Sequence, residues 1–358
     1  MTNKIVAIQG NHPSKLNPKS DTSIFLANEA QNRRYKIFYY EPKNLSIIND
    51  SVIAKGFFIK INYLDKKFYK IQKFQKLNLL NCKFILIRQD PPFNLEYISN
   101  TYILDKIKSK VKIINNPTSI RNISEKLYSS TYQKYMPKTI FTKDLKEIKK
   151  FYKKNKKIII KPIHGYGGND IHLLSKFNLK LISQFIKNHD HIMCQKFLPK
   201  VSKGDKRVIL KPIHSFSGND ICLLNKFDLK LIQKFIKQHD HIMCQKYLPK
   251  ISKGDKRVFL INGKVYGAIS RVPKKGSFLS NMSKGAKPIN IKLTKLENKI
   301  SKLIAQDLKK ENIYFAGIDF IDQKLNGDIN VTSPTGLKTL FDLSGTNLAK
   351  IFWKDLNI

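Results

Sequence analysis

Apolar residues follow two rhythms along the first ~115 positions, short continuous runs and longer stretches at helical spacing. Residues 4–9 form a run that ends at Gly10 and reads as a strand. Residues 21–33 carry Ile24, Phe25, Ala27 and Ala30 at helical spacing, and residues 36–40 form a second strand. Residues 83–87 are an apolar strand leading into Arg88-Gln89-Asp90-Pro91-Pro92-Phe93, where two prolines force a loop. A helix over 98–109 and a strand over 111–114 complete the series. Alternation of this kind predicts an α/β unit, a Rossmann-like parallel sheet with helices on its faces.

The rhythm changes after residue 115. Asn116-Pro117 is a helix-start signal, an N-cap followed by proline. Asp144-x-x-Glu147 reads as a capping box for a helix whose buried stripe is Leu145, Ile148 and Tyr152. Lysines 153, 154, 156 and 157 read as its solvated end. Farther on come a hairpin around Asn262-Gly263, a lysine-rich loop near 274–287, a helix over 294–310, and two short strands, 316–321 and 328–331. The pattern divides the chain into an N-terminal domain, 1–122, and an α+β domain, 123–358.

Inside the second domain the sequence repeats itself. Residues 161–210 and 211–260 align without a gap and are identical at 38 of 50 positions. Lys161-Pro162-Ile163-His164 recurs as Lys211-Pro212-Ile213-His214, and Gly204-Asp205-Lys206-Arg207-Val208 recurs as Gly254-Asp255-Lys256-Arg257-Val258. Two copies are too few for a solenoid, so this is a segmental duplication within a globular domain. Unpartnered apolar faces in the extra copy, such as Phe227, Leu231, Phe235 and Ile236, would need cover. The expectation is that it packs beside the first.

Composition adds little to the fold but narrows the function. With 41% apolar and 26% charged residues, the 358-residue chain has the make-up of a globular protein. No apolar run approaches the roughly 20 residues needed to span a bilayer. Residues 5–8 are too few for a signal-peptide core. Cys82, Cys194, Cys222 and Cys244 form no CxxC pair, which suits a reducing cytoplasm. The net charge of +41 invites a nucleic-acid reading. The excess is lysine dispersed along the chain, so nonspecific polyanion binding at low salt is expected and no specific nucleic-acid partner. The pairs His189/His191 and His239/His241 lack an apparent third ligand and read as helix-end residues.

Two clusters carry candidate chemistry. Residues 158–162 deliver Lys161 into Gly165-Tyr166-Gly167-Gly168. Glycines allow backbone N–H groups close to phosphate oxygens, and the lysine adds a point charge. An ordinary turn explains that pattern equally well. The second cluster is Gly317-Ile318-Asp319-Phe320, with Asp328, Asn330 and the Thr332-Ser333-Pro334-Thr335-Gly336 segment. Residues 328 and 330 share one face of a strand, so with Asp319 they offer hard oxygen ligands suited to Mg²⁺. A polar strand end with its caps is the bland alternative.

In order along the chain, these segments resemble the ATP-grasp superfamily and, within it, bacterial glutathione synthetase. The likeness runs through Asp90-Pro91-Pro92-Phe93, Asn115-Asn116-Pro117, Glu125-Lys126-Leu127, Lys161-Pro162, Gln245-Lys246-Tyr247-Leu248-Pro249 and Gly254-Asp255-Lys256-Arg257-Val258. It continues with Ala268-Ile269-Ser270-Arg271-Val272-Pro273, Asp319 and 329–336. The resemblance implies a pre-ATP-grasp domain followed by an ATP-grasp domain whose lid is duplicated. It also implies an ATP- and Mg²⁺- (or Mn²⁺-) dependent ligase that joins γ-glutamylcysteine to glycine. By the same resemblance Lys126 and Lys161 contact the phosphates, Gly165, Gly167 and Gly168 close over them, and Gln245, Lys246, Tyr247 and Leu248 (or their copies, 195–198) line the adenine. Asp319, Asp328 and Asn330 would hold the metal, Arg257 (or Arg207) and Arg271 the transferring phosphoryl group, and Asn281 would assist. Homo-oligomers are implied as well. Asp328 stands where the family usually has glutamate. Alternatives are another ATP-grasp carboxylate–amine ligase or a catalytically impaired basic remnant.

Overall fold

Eight strands build the N-terminal sheet: β1 (Ile5–Gln9), β2 (Lys36–Tyr40), β3 (Leu45–Ile48), β4 (Ser51–Ile61), β5 (Tyr69–Ile71), β6 (Gln75–Asn78), β7 (Phe84–Ile87) and β8 (Lys112–Ile114). Their order is β3-β4-β2-β1-β7-β8, with β5 and β6 along β4. The computed structural model describes residues 4–63, 67–90, 93–124, 126–136, 138–155, 158–162, 172–174, 176–196, 208–212, 222–224, 242–246, 254–272, 286–321 and 323–356. Strands β2, β1, β7 and β8 are mutually parallel, as the alternation predicts, and β4 extends them antiparallel. Side chains of β1 divide between two cores. Val6 and Ile8 join one, with α1 (Thr22–Asn32), and Ala7 joins the other, with α2 (Leu95–Asp105) and α3 (Pro117–Asn122). The helix-start signal is confirmed, since the Asn116 side chain accepts from the N–H groups of Thr118 and Ser119.

The repeats form two separate sheets. Strands β9 (Thr139–Thr142), β10 (Ile158–Pro162), β11 (His172–Leu174) and β12 (Ile192–Lys196) make the first, in the order β11-β10-β12-β9. Helices α4 (Leu145–Asn155) and α5 (Leu179–His189) cover one face through Ile148, Ile182 and Phe185, which pack on Ile158, Ile160 and Cys194. Strands β13 (Val208–Pro212), β14 (Cys222–Leu224) and β15 (Ile242–Lys246) make the second, ordered β14-β13-β15. Its register reproduces the first at an offset of 50 residues: Ile158↔Lys196 becomes Val208↔Lys246. No counterpart of β9 lies among the described residues. The Cα atoms of β11 and β15 instead come within 8 Å of each other. Strand β15 is thus a neighbour of β11, although the two belong to separate sheets. Phe227, Leu231, Phe235 and Ile236 lie outside the described residues.

The C-terminal sheet holds β16 (Asp255–Ile261), β17 (Lys264–Val272), β18 (Lys287–Asn290), β19 (Phe315–Ile321) and β20 (Lys324–Asn330) in the order β18-β17-β16-β19-β20, all antiparallel. Asn262 and Gly263, both with positive φ, close the β16–β17 hairpin. Helix α6 (Lys295–Lys310) starts at a capping box, Thr294 with Glu297, and lays Ile300, Ile304 and Leu308 on one face of the sheet. The other face packs Phe259, Ile261 and Ile269 against α7 (Leu337–Ser344), α8 (Leu348–Lys354) and the N-terminal sheet. Asn115 fastens the junction. Its amide nitrogen donates to the carbonyls of Phe315 and Val331, both at 2.7 Å, and its oxygen accepts from the N–H of Tyr314 and Phe315.

Candidate active site

Strand pairing in the C-terminal sheet brings four charges together. The register sets Arg257 opposite Asp319 and Asp255 opposite Arg271. Arg257 donates from Nε to Asp319 Oδ1 at 2.5 Å and from Nη2 to Oδ2 at 2.8 Å, a fork-on-carboxylate pair. Arg271 donates from Nε to Asp255 Oδ1 at 2.7 Å, from Nη2 to Asp255 Oδ2, and from Nη2 to Asp319 Oδ2 at 3.2 Å. All four side chains are nearly buried. Burial alone would raise the Asp319 carboxyl, but the two guanidinium groups outweigh it and hold it at about 2. At Asp255 burial prevails and pushes the carboxyl up. Gly317, beside Asp319 on β19, makes room for this packing: a Cβ there would stand 3.0 Å from Arg257 Cδ.

Asn330 pairs with Gly317 across the β19–β20 ladder, so it shares the face of Gly317. Asp319 sits where that register shifts, between Ile318 and Phe320. Asp328 lies on β20; its side chain is outside the described residues. The following segment, 331–336, is pinned from the N-terminal domain. Arg88 Nη2 donates to the Pro334 carbonyl at 2.8 Å, and Thr22 Oγ1 accepts from the N–H of Gly336 at 3.0 Å. Arg88 follows β7 directly, and the residues after it are tied to the end of β1: Asn11 donates to Asp90 at 2.6 Å and Gln9 to Gln89 at 3.0 Å. Burial pushes the carboxyls of Asp21 and Asp90 up. These groups follow β1 and β7, at the carboxyl ends of parallel strands, where α/β sheets bind ligands.

Lys126 is buried just ahead of a 3₁₀ segment, Tyr128–Tyr135. Lys161 lies on β10 directly across from Met193 of β12, and Gln245 and Lys246 lie on β15 across from Ile209 and Val208 of β13. Lys161 therefore shares a sheet with Gln195 and Lys196, two and three rungs along the β10–β12 ladder, while Gln245 and Lys246 belong to the other. Gln195 is buried and donates to Thr139 Oγ1 at 3.1 Å. Gly165, Gly167, Gly168, Arg207, Tyr247, Leu248 and Asn281 lie outside the described residues, as do His239 and His241. His189 closes α5 and His191 pairs with Asp190 at 2.6 Å, which makes them the helix-end residues expected. Asp255 is the residue that sequence reasoning passed over. It shares a strand face with Arg257, two positions on, but its partner Arg271 lies on the next strand.

Among the described residues no group of three or more His, Cys, Asp and Glu could hold a metal, and no helix is long and apolar enough to cross a membrane. Comparison with known proteins agrees with this geometry. Residues 5–121 match the N-terminal domain of prokaryotic glutathione synthetase, and residues 125–210 and 207–345 each match its ATP-grasp domain. The two ATP-grasp matches overlap on β13, which ends the first like β16 and opens the second like β10. The glutathione synthetase of Brucella melitensis is 32% identical over 354 residues, covering 97% of this chain and 96% of its own. That of Buchnera aphidicola subsp. Baizongia pistaciae is 33% identical, covering 96% and 92%. The crystal structure of a D-cycloserine synthetase covers 98% of both chains with a TM-score of 0.55 at 10% identity, and so shares the fold. Matched across both domains, and by relatives along nearly its whole length, the chain belongs to the prokaryotic glutathione synthetase family.

Proposed function

We infer that this chain is an ATP-dependent, ADP-forming ligase that joins γ-glutamylcysteine to glycine. The dipeptide's carboxylate attacks the γ-phosphate, and the glycine amine displaces phosphate from the resulting acyl phosphate. Such chemistry asks for charge neutralisation and positioning, with no protein nucleophile. The observation that carries the reading is the Arg257–Asp319–Arg271–Asp255 cluster, in a chain related to glutathione synthetases along its length.

Arg257 and Arg271 are the groups proposed to meet the transferring phosphoryl, with Lys126 and Lys161 on the other phosphates and Gly165, Gly167 and Gly168 over them. Asp319, Asp328 and Asn330 would hold the divalent ion, Mg²⁺ or Mn²⁺. The donor set fits. Among the described residues, Asp319 accepts three donations of about four a carboxylate can take, and Asn330 Oδ1 receives only a long 3.4 Å bond from Thr332. When bound, the ion would neutralise phosphate charge. The acid substrate is proposed to enter beside Arg88, Asp21 and Asp90, at the strand ends that pin segment 331–336. Two domains divided near residue 122, a cytoplasmic location and a homo-oligomer complete the proposal; Cys82 and Cys194 are free thiols that burial pushes up to about 12, which suits a reducing compartment. ADP release dependent on both γ-glutamylcysteine and glycine tests the reading. Release with other acid–amine pairs, and none with this one, would assign a different ligase.

A further inference from the structure

Because the lid segment occurs twice, one ATP has two lysine strands and two hinge strands to choose from. Within each copy the relation between them is the same. Lys161 is across from Met193, two residues before Gln195 and three before Lys196 closes β12, and Lys211 is across from Met243 on the matching strands. Between copies the relation is different. Strand β12 is hydrogen-bonded to β10, whereas β15 belongs to the other sheet and comes near this one at β11. A nucleotide that fits Lys161 with Gln195 and Lys196 therefore does not fit Lys161 with Gln245 and Lys246. The site must draw its lysine and its hinge from one copy.

Packing singles out the first. Its sheet is completed by β9, with Gln195 bonded to Thr139 across that pair. Met193, on the face opposite Ile192 and Cys194, is fully buried in the cluster that holds Val258, Ile318 and Phe320 of the C-terminal sheet. The first sheet is thus seated on the domain that bears Arg257 and Asp319. Direct connection of the second copy to β16 is a weaker argument. Eight residues separate Lys246 from Asp255, and a segment of that length reaches up to about 30 Å, so it does not oblige β15 to lie at the site.

We propose that the first copy alone builds the nucleotide site, with Lys161, Gln195 and Lys196 acting on one ATP, while the second copy is an added sheet near β11 that makes no nucleotide contact. This rests on the ATP-dependent reading above. The test compares Lys161→Ala with Lys211→Ala in the full chain, by equilibrium binding of Mg·ATP and by KM for ATP in ADP release, with thermal melting to verify folding. Lys161→Ala should weaken Mg·ATP binding about 10- to 100-fold, the loss expected for a charged hydrogen bond. Lys211→Ala should stay within about two-fold. Equal losses, a loss from Lys211→Ala alone, or no loss from either overturns the proposal. Wild-type protein that binds Mg·ATP yet makes no glutathione would sink the functional reading and leave this one standing.

Discussion

Gly317→Ala probes how firmly Arg257 is held. Gly317 has no positive φ, so alanine suits its backbone and by itself would add about 0.4–1 kcal/mol by restricting the unfolded chain. The new Cβ would lie 3.0 Å from Arg257 Cδ, 3.4 Å from Nε and 3.5 Å from Nη1. Carbon contacts relax at about 3.5–4.0 Å, so Arg257 must retreat by roughly 0.5 Å. It cannot do so freely, because its Nε and Nη2 are both bonded to Asp319. Overpacking of this kind costs about 1–3 kcal/mol, which leaves a net loss of about 0.5–2 kcal/mol. A 1 Å misplacement costs about 100-fold in rate, so half that displacement should lower kcat about 10-fold. ADP release at saturating substrates and a thermal melt read both effects. A variant with kcat within two-fold of wild type and a raised Tm would refute the claim that Arg257 is fixed.

Other outcomes follow from neighbouring features. Asp319 has its carboxyl held below the unfolded value near 3.9 by Arg257 and Arg271, against its burial; the stability this contributes is present above about pH 4 and lost as pH falls through the depressed value. Asp319→Asn should lack that segment of the stability–pH curve and lose at least about 100-fold in Mg·ATP-dependent turnover. Asn115→Asp keeps the shape but turns two donors toward the Phe315 and Val331 carbonyls into acceptors, so a loss of about 3–5 kcal/mol is expected from denaturant midpoints at neutral pH. Trp353→Ala removes a fully buried ring and its 2.8 Å bond to the Leu26 carbonyl, and should cost about 3–5 kcal/mol, read as a lowered melting temperature.

Much of the frame was legible because it is locally encoded. The runs that form β1, β2 and β7 are near-continuously apolar, broken only by Gln9 and Lys36 at strand ends, as strands covered on both faces tend to be. Helix α6 announces itself by Thr294, Glu297 and the Ile300–Ile304–Leu308 spacing. The region of β3 to β6 was not read. In β4 the alternation breaks at Gly56-Phe57-Phe58, where Phe57 joins one core and Phe58 packs on the other, so neither period stands out. Helix α2 begins at Leu95, three residues before the expected start, because Asn94 caps it ahead of a strongly exposed leucine that conceals the apolar stripe. At the site, Arg257, Arg271 and Asp319 were legible through resemblance. The role of Asp255 depends on its pairing with Arg271 across β16 and β17, a nonlocal relation that no spacing records.

Strand β13 ends one repeat and begins the next, and this makes the fold indifferent to copy number. Whatever the number of copies, the first is entered from β9 and the last is left through β16. Excising residues 211–260 would join Leu210 to Ile261 and rebuild the β16 segment with one change, isoleucine in place of Phe259. A gene that gains or loses one 50-codon unit would therefore keep both attachments to the rest of the protein, and only the width of the array between them would differ.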